Sequence, residues 1–463
     1  MGALGGGVGG YGGGSKGDKA LQLPVSETLR LAWADDDLRS RILFVLGMFA
    51  VFCLGAHVPV PIPGVTASEL FESLKGNIMF QFIDTLGGGA LKRVSIFALG
   101  MNPYITSSII LQILTTAIPS WKQELQEGGE YARRQQNQRT RLLSIALCIF
   151  QSLGLIQMIS SASPQAAGAF TPAVTAMVVV FWTAGAMFML WLGEQISEKG
   201  IGNGVSLMIF AGIVFSMPQQ IATVKQELEL GQVKWWGVIV VLIAFVATTW
   251  LIVYFTTAQR RIPVQHMRRM VGTRVMQGGS TSYLPLSVNT AGVIPIIFAI
   301  TLLYMPSQFA QFFPQNSTMH NILETIGKFM MPDFQVANAY MYRPIIACFI
   351  YTALIFFFTY FYTAIQYNVE DIANNLKRAG SFIPGVRPGK QTKDFLDGVI
   401  SRITVVGAAF LAAVALLQFV IPGLTGLHRV NVIGGTTLLI MVSVALETMR
   451  QIEANLLMKQ YGS

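Results

Sequence analysis

Apolar residues in this chain fall in long unbroken runs separated by shorter polar stretches. A helix needs about 20 such residues to cross the hydrocarbon layer of a bilayer. Runs near that length occupy roughly residues 40–58, 94–117, 141–160, 172–193, 204–217, 236–256, 289–306, 344–366, 399–421 and 432–449. They predict an all-α integral membrane protein with ten spanning helices. The run at 204–217 is short. Gly200-Ile201-Gly202-Asn203-Gly204 marks a tight turn before it and a polar loop is expected after it, so it belongs in the middle of the bundle, shielded from lipid by its neighbours.

Basic residues orient the spans. With the N-terminus inside, 24 of the 32 Lys and Arg residues fall in inside segments and 8 outside. That excess obeys the positive-inside rule, and shifting the count by one span would break it. The segment 161–171 carries no basic residue and is expected outside. The chain then divides into a glycine-rich flexible tail and lead-in (1–38), an N-terminal half (39–217), an external hinge loop (218–235) and a C-terminal half (236–463). Each half carries five spans. Halves with an odd number of spans are inverted relative to each other.

Composition agrees. Residues are 52% hydrophobic and 12% charged, with mean hydropathy +0.54; soluble domains carry about 25% charged residues. The net charge of +9 does not point to nucleic acid, because the basic residues sit in loops between apolar runs. Cys53, Cys148 and Cys348 lie in three different runs and show no metal or disulfide spacing. Residues 1–14 lack the apolar stretch of a signal peptide.

The middle of every run is free of Asp, Glu, Lys and Arg. That absence weighs against the alternative reading, an ion-coupled secondary transporter of small molecules, which keeps ionisable groups at midplane. The polar residues present are amides and hydroxyls such as Gln112, Gln151, Asn289 and Gln418, suited to hydrogen bonds between helices. His57, His266, His320 and His428 form no H-E-x-x-H pattern, and no G-x-S-x-G, paired intramembrane aspartates or Walker A loop occurs. Neither an enzyme nor a cofactor site is expected, so work on any substrate must come from a partner.

Three stretches break the span pattern. Asn77–Arg93 holds an apolar patch too short to cross, then Gly87-Gly88-Gly89, and its spacing suits either a half-helix folded back into a cavity or a surface turn. The inside loops 257–287 and 367–398 are long and basic. The first suits a hairpin about Arg274-Val275-Met276. In the second, Pro384, Gly385, Pro388 and Gly389 bracket Arg387 at a stiff tip. A projecting basic surface suits a large anionic partner or an acidic protein face.

Five segments then carry a resemblance: "SIFALGMNPYITSSIILQIL" (95–114), "WLGEQISEKGIGNGVSLMIFAGIV" (191–214), "VNTAGVIPIIFA" (288–299), "NNLKRAGSFIPGVRPGKQT" (374–392) and "IGGTTLLIMV" (433–442). In order, from about residue 40 to the end, the chain resembles the SecY family, the central subunit of the bacterial protein-translocation channel. The resemblance implies two inverted halves around an hourglass pore. It implies an aliphatic constriction from Met101, Ile105, Val205, Ile209, Ile297 and Ile440, with Met101 where a branched residue is more usual. It implies a plug around Asn77, Ile78, Met79, Phe80, Phe82 and Ile83. A lateral gate would open between spans two and three and spans seven and eight, near Thr106, Gln112, Asn203, Asn289 and Met305. Arg260, Arg261, Arg274 and Arg387 would lie on loops that bind the ribosome and the SecA motor, with Arg387 the key motor-loop arginine. The implied partners are SecE, SecG, SecA, the ribosome, unfolded preproteins with their signal peptides, and the phospholipid bilayer. The implied place is the cytoplasmic (inner) membrane, with both termini in the cytoplasm.

Overall fold

The computed structural model describes residues 25–63, 84–162, 168–231, 235–266, 270–271, 274–275, 281–310, 313, 317–331, 342–425 and 435–462. The plug positions 77–83 lie outside the described residues, as does the side chain of Arg274.

Each apolar run contains a helix, although 94–101 and 289–293 are turns ahead of theirs. In chain order the helices are α1 (Val25–Ala34), α2 (Asp36–Ala56), α3 (Asn102–Ala117), α4 (Pro119–Glu127), α5 (Gly129–Ala162), α6 (Pro172–Lys199), α7 (Gly204–Glu229) and α8 (Trp235–Thr257). They continue with α9 (Ile294–Ala310), α10 (Thr318–Met330), α11 (Tyr342–Gln366), α12 (Val369–Arg378), α13 (Lys390–Thr425) and α14 (Gly435–Gly462). Seven of them are long and apolar enough to cross a membrane, and α9 is a shorter apolar helix. The remaining two runs, 94–117 and 432–449, fall on α3 and α14.

Local chemistry sets the helix ends. Asp35 caps α2, its carboxylate accepting the N–H groups of Asp37 and Leu38 at 3.0 and 3.1 Å. Thr171 caps α6 ahead of Pro172. Asn203 caps α7, its Oδ1 accepting from Val205 and Ser206. The tight turn read before residue 204 is therefore present.

Two expectations are corrected. The run at 204–217 is not a short span followed by a loop: α7 continues unbroken to Glu229 with Pro218 inside it. Much of the segment read as the 218–235 hinge loop is therefore helical. A proline breaks a helix only where its missing donor and ring are not accommodated, and here Gln220 and Glu227 are buried beyond it, holding the extension against the protein. The second correction is one of extent: the strands reach beyond the single hairpin expected about Arg274. Strands β1 (Gln259–His266), β2 (Met270–Val271), β3 (Arg274–Val275), β4 (Thr281–Ser287) and β5 (Ser381–Phe382) lie in the two long basic segments. β2 pairs with β3, the hairpin expected about Arg274. β1 pairs antiparallel with β4 from Gln259↔Ser287 to Gln265↔Thr281. β1 also pairs with β5, so the two loops are hydrogen-bonded into one sheet, order β4-β1-β5. Beneath it Ile262, Val264 and Leu286 pack with Val369, Ile383, Leu396 and Ile400 in a small core of their own.

A single large core runs through the bundle and includes Met101, Ile105, Ile209 and Ile440, with Val205 and Ile297 packed against it. Irregular backbone between α2 and α3 is buried inside this bundle: Ala90, Leu91 and Ser95 are buried, and Val94 stands at φ 49°, a strained conformation for a β-branched residue. Asp84 is tied by an ion pair to Lys92 (3.3 Å) and by the Lys92 N–H (2.9 Å). Non-helical backbone at depth needs this kind of protein shielding. It also needs room. Leu86 lies so close to Gly212 of α7 that a Cβ there would collide with the Leu86 carbonyl oxygen.

Candidate functional site: a half-aliphatic cavity beside a helix seam

A cavity of about 730 Å³ opens among α3, α5, α6, α7, α9 and α14. Arg141, Glu194, Glu198, Glu447 and Gln451 line it, and so do the apolar Ile105, Val205, Ile209, Ile297 and Phe298. Arg141 on α5 is fixed to Glu194 on α6, Nε and Nη2 both reaching Oε1 at 2.9 and 2.7 Å. Four of the six residues assigned to an aliphatic constriction are thus together on this wall. Met101 and Ile440 do not line the cavity; they are buried in the core that continues from it. The sequence places these aliphatics together because α3, α7, α9 and α14 each bring one apolar face to the centre.

Beside the cavity runs a seam between α3 and α5 on one side and α9 and α11 on the other. Gln112 on α3 accepts a hydrogen bond from the buried Tyr362 hydroxyl on α11. Phe150 on α5 meets Phe309 on α9 with ring centroids 5.4 Å apart. Of the residues assigned to this seam, Gln112 and Asn203 line the cavity. Asn203 is occupied capping α7. Thr106 donates to the Asn102 carbonyl one turn back in its own helix, and Met305 is half-buried on α9. Asn289 is buried just before α9, and neither polar atom of its amide has a partner among the described residues. The other amides bridge helices as expected: Gln151 accepts from Asn102 at 3.5 Å and Gln418 from Thr436 at 2.6 Å. Sequence reasoning missed Tyr362 and Phe309, because an aromatic residue inside an apolar run carries no mark separating a seam contact from a lipid-facing one.

Arg260, Arg261 and Arg387 are exposed on the strand-built domain. The Arg387 tip is braced. The Thr392 hydroxyl donates to the Arg387 carbonyl at 2.9 Å, the Val386 N–H donates to the Ile383 carbonyl at 3.0 Å, and Gly385 and Gly389 turn the chain at positive φ. Behind it Lys393 pairs with Glu370 at 2.8 Å, joining α13 to α12 and holding the Glu370 carboxyl below its ordinary range. No cluster of His, Cys, Asp and Glu suited to a metal ion occurs among the described residues.

The SecY family model matches residues 95–449. The chain belongs to the SecY family. A SecY protein translocase subunit of Aquifex aeolicus is 39% identical over 447 residues, covering 95% of this chain and 99% of that one. Among solved structures, one described as a protein conducting channel superposes with TM-score 0.64 at 18% identity over 89% of this chain and 91% of that one. Sec61 in a canine ribosome–channel complex superposes with TM-score 0.60 at 17% identity over the same shares. These likenesses show that the SecY channel fold accounts for the arrangement of helices around the cavity.

Proposed function

We propose that this chain is the pore subunit of a Sec translocon: it passes unfolded polypeptides across the cytoplasmic membrane and releases apolar segments sideways into lipid. The observation that carries the reading is the cavity with Arg141 and Glu194 on one part of its wall and Ile105, Val205, Ile209 and Ile297 on another, set directly beside the α3/α5–α9/α11 seam. A polar mouth admits a hydrated chain. An aliphatic constriction, completed by Met101 and Ile440, excludes ions by dewetting, yet its side chains yield to any sequence. The seam gives an apolar segment a lateral exit. Two inverted five-span halves form the channel, both termini are cytoplasmic, and residues 77–83 supply the plug. SecE clamps the halves and SecG sits beside them. The β4-β1-β5 domain, with Arg260, Arg261, Arg274 and Arg387, receives SecA or the ribosome. The likeness to a channel solved on a ribosome supports that last assignment. The chain itself is not an enzyme and needs no cofactor.

Co-reconstitution with SecE tests the proposal. In vesicles supplied with SecA, ATP and a preprotein, the chain should yield preprotein protected from external protease, and vesicles lacking the chain should not. Equal protection with and without the chain would reject the reading.

A further inference from the structure

After α9 the chain doubles back. The Ala310 carbonyl at the end of α9 is in hydrogen-bond contact with His320 Nδ1 at 2.8 Å, and Gly327 of α10 lies against Ser307, where a Cβ would collide with the hydroxyl. α10 is therefore packed antiparallel along the end of α9, and it touches α11 as well. Its buried side is Gly327, with the half-buried His320, Leu323, Glu324 and Met330 around it. The exposed side is split lengthwise. Met319, Ile322 and Ile326 form one stripe, and Thr318, Asn321 and Thr325, each one residue earlier, form a polar stripe beside it. The split follows from the helical repeat, since steps of three and four keep each set on its own line.

We propose that α10 lies in the bilayer interface at the end of the membrane where α9 terminates, with Met319, Ile322 and Ile326 in lipid and Thr318, Asn321 and Thr325 in water. Two observations choose lipid as the occupant. α9 has 17 residues, about 25 Å of helix, which is shorter than the roughly 30 Å hydrocarbon layer. Its turn into α10 is therefore held at leaflet depth. The helices α10 packs on also expose apolar side chains: Leu302 and Phe309 on α9, and Ile345, Ile346 and Phe349 on the first turns of α11. The apolar stripe of α10 thus sits on two helices that themselves expose apolar side chains, and a helix with lengthwise apolar and polar sides suits the boundary. Because Ser307 sits on a seam helix, the bilayer thereby holds one side of the seam. Which leaflet this is rests on the orientation proposed above; the lipid contact does not.

Spin labels in vesicles test it. Single cysteines at 319, 322 and 326, and at 318, 321 and 325, are introduced with Cys53, Cys148 and Cys348 replaced by alanine, and the protein is reconstituted in phosphatidylglycerol/phosphatidylethanolamine vesicles. Collisions with oxygen report lipid; collisions with a water-soluble nickel chelate report water. Labels on the first stripe should favour oxygen and those on the second should favour nickel. Nickel access equal on both stripes would place the helix in water and overturn the proposal. Shielding of the first stripe from both relaxers would assign it to a protein partner or a second copy, and also overturn it. Three positions per stripe keep the measurement available if one variant does not reconstitute. A correct stripe pattern with failed translocation would separate this inference from the proposed function.

Discussion

At the scale of single residues, the seam and the constriction make different demands. The Tyr362–Gln112 hydrogen bond is a polar contact across the seam, from α11 to α3. A net contribution of about 1 kcal/mol makes it worth roughly fivefold in the ratio of closed to open seam. Tyr362→Phe keeps the ring packing on Phe298 and removes the donor. It should raise export of preproteins with weakened signal sequences by about that factor, and unchanged export would assign the bond to packing alone. In the proposed function the constriction acts by excluding water. Ile297→Asn combined with Ile440→Asn should give a resting ion leak in planar bilayers, since amides wet an aliphatic ring; conductance equal to the parent would remove these residues from the seal.

At the scale of elements, the two basic loops behave as one folded unit. Leu396 is fully buried in their shared core. Leu396→Ala should cost about 2–5 kcal/mol of local stability and speed tryptic cleavage at Lys390 and Lys393 in detergent. Arg387→Glu, on an exposed tip, should leave that cleavage pattern at Lys393 intact and abolish SecA-driven export. A variant that exports normally would refute the motor-contact role. How legible these elements were depended on what the sequence signal measures. Spacing of apolar residues finds spans, so each run has its helix. Composition alone misplaced the end of α7, because Pro218 and the polar residues after it look like a loop until Gln220 and Glu227 are seen buried. α10 was missed inside the segment 307–343, although Met319, Ile322 and Ile326 carry a helical repeat; the repeat is only two turns long. The β1–β5 pairing joins residues more than a hundred positions apart and leaves no local trace. The assigned constriction residues came from resemblance to the SecY family, since any one aliphatic in a span could equally face lipid.

At the scale of the whole molecule, orientation is the property charge decides. A cysteine placed within 161–171 should react with an impermeant maleimide added to intact cells, while one within 379–392 should react only after lysis. The motivation is the 24-to-8 asymmetry of basic residues, and reversed labelling would invert the model. The ends of the described chain are also joined: Lys459 of α14 pairs with Asp35 at 2.8 Å and Asp37 at 3.3 Å, which draws both carboxyls below their ordinary range.

The ladder between β1 and β4 also has a mechanical meaning. β4 ends at Ser287, two residues before Asn289 and seven before the first residue of α9, while β1 emerges from α8 and is stitched to β5 just ahead of the Arg387 tip. Paired strands resist stretching far more than a slack tether does. A force applied at Arg387 would therefore have a hydrogen-bonded route through β5, β1 and β4 to the six residues that precede α9, as through a crankshaft. A motor that only nudges the tip can, in this linkage, turn a helix that it never touches.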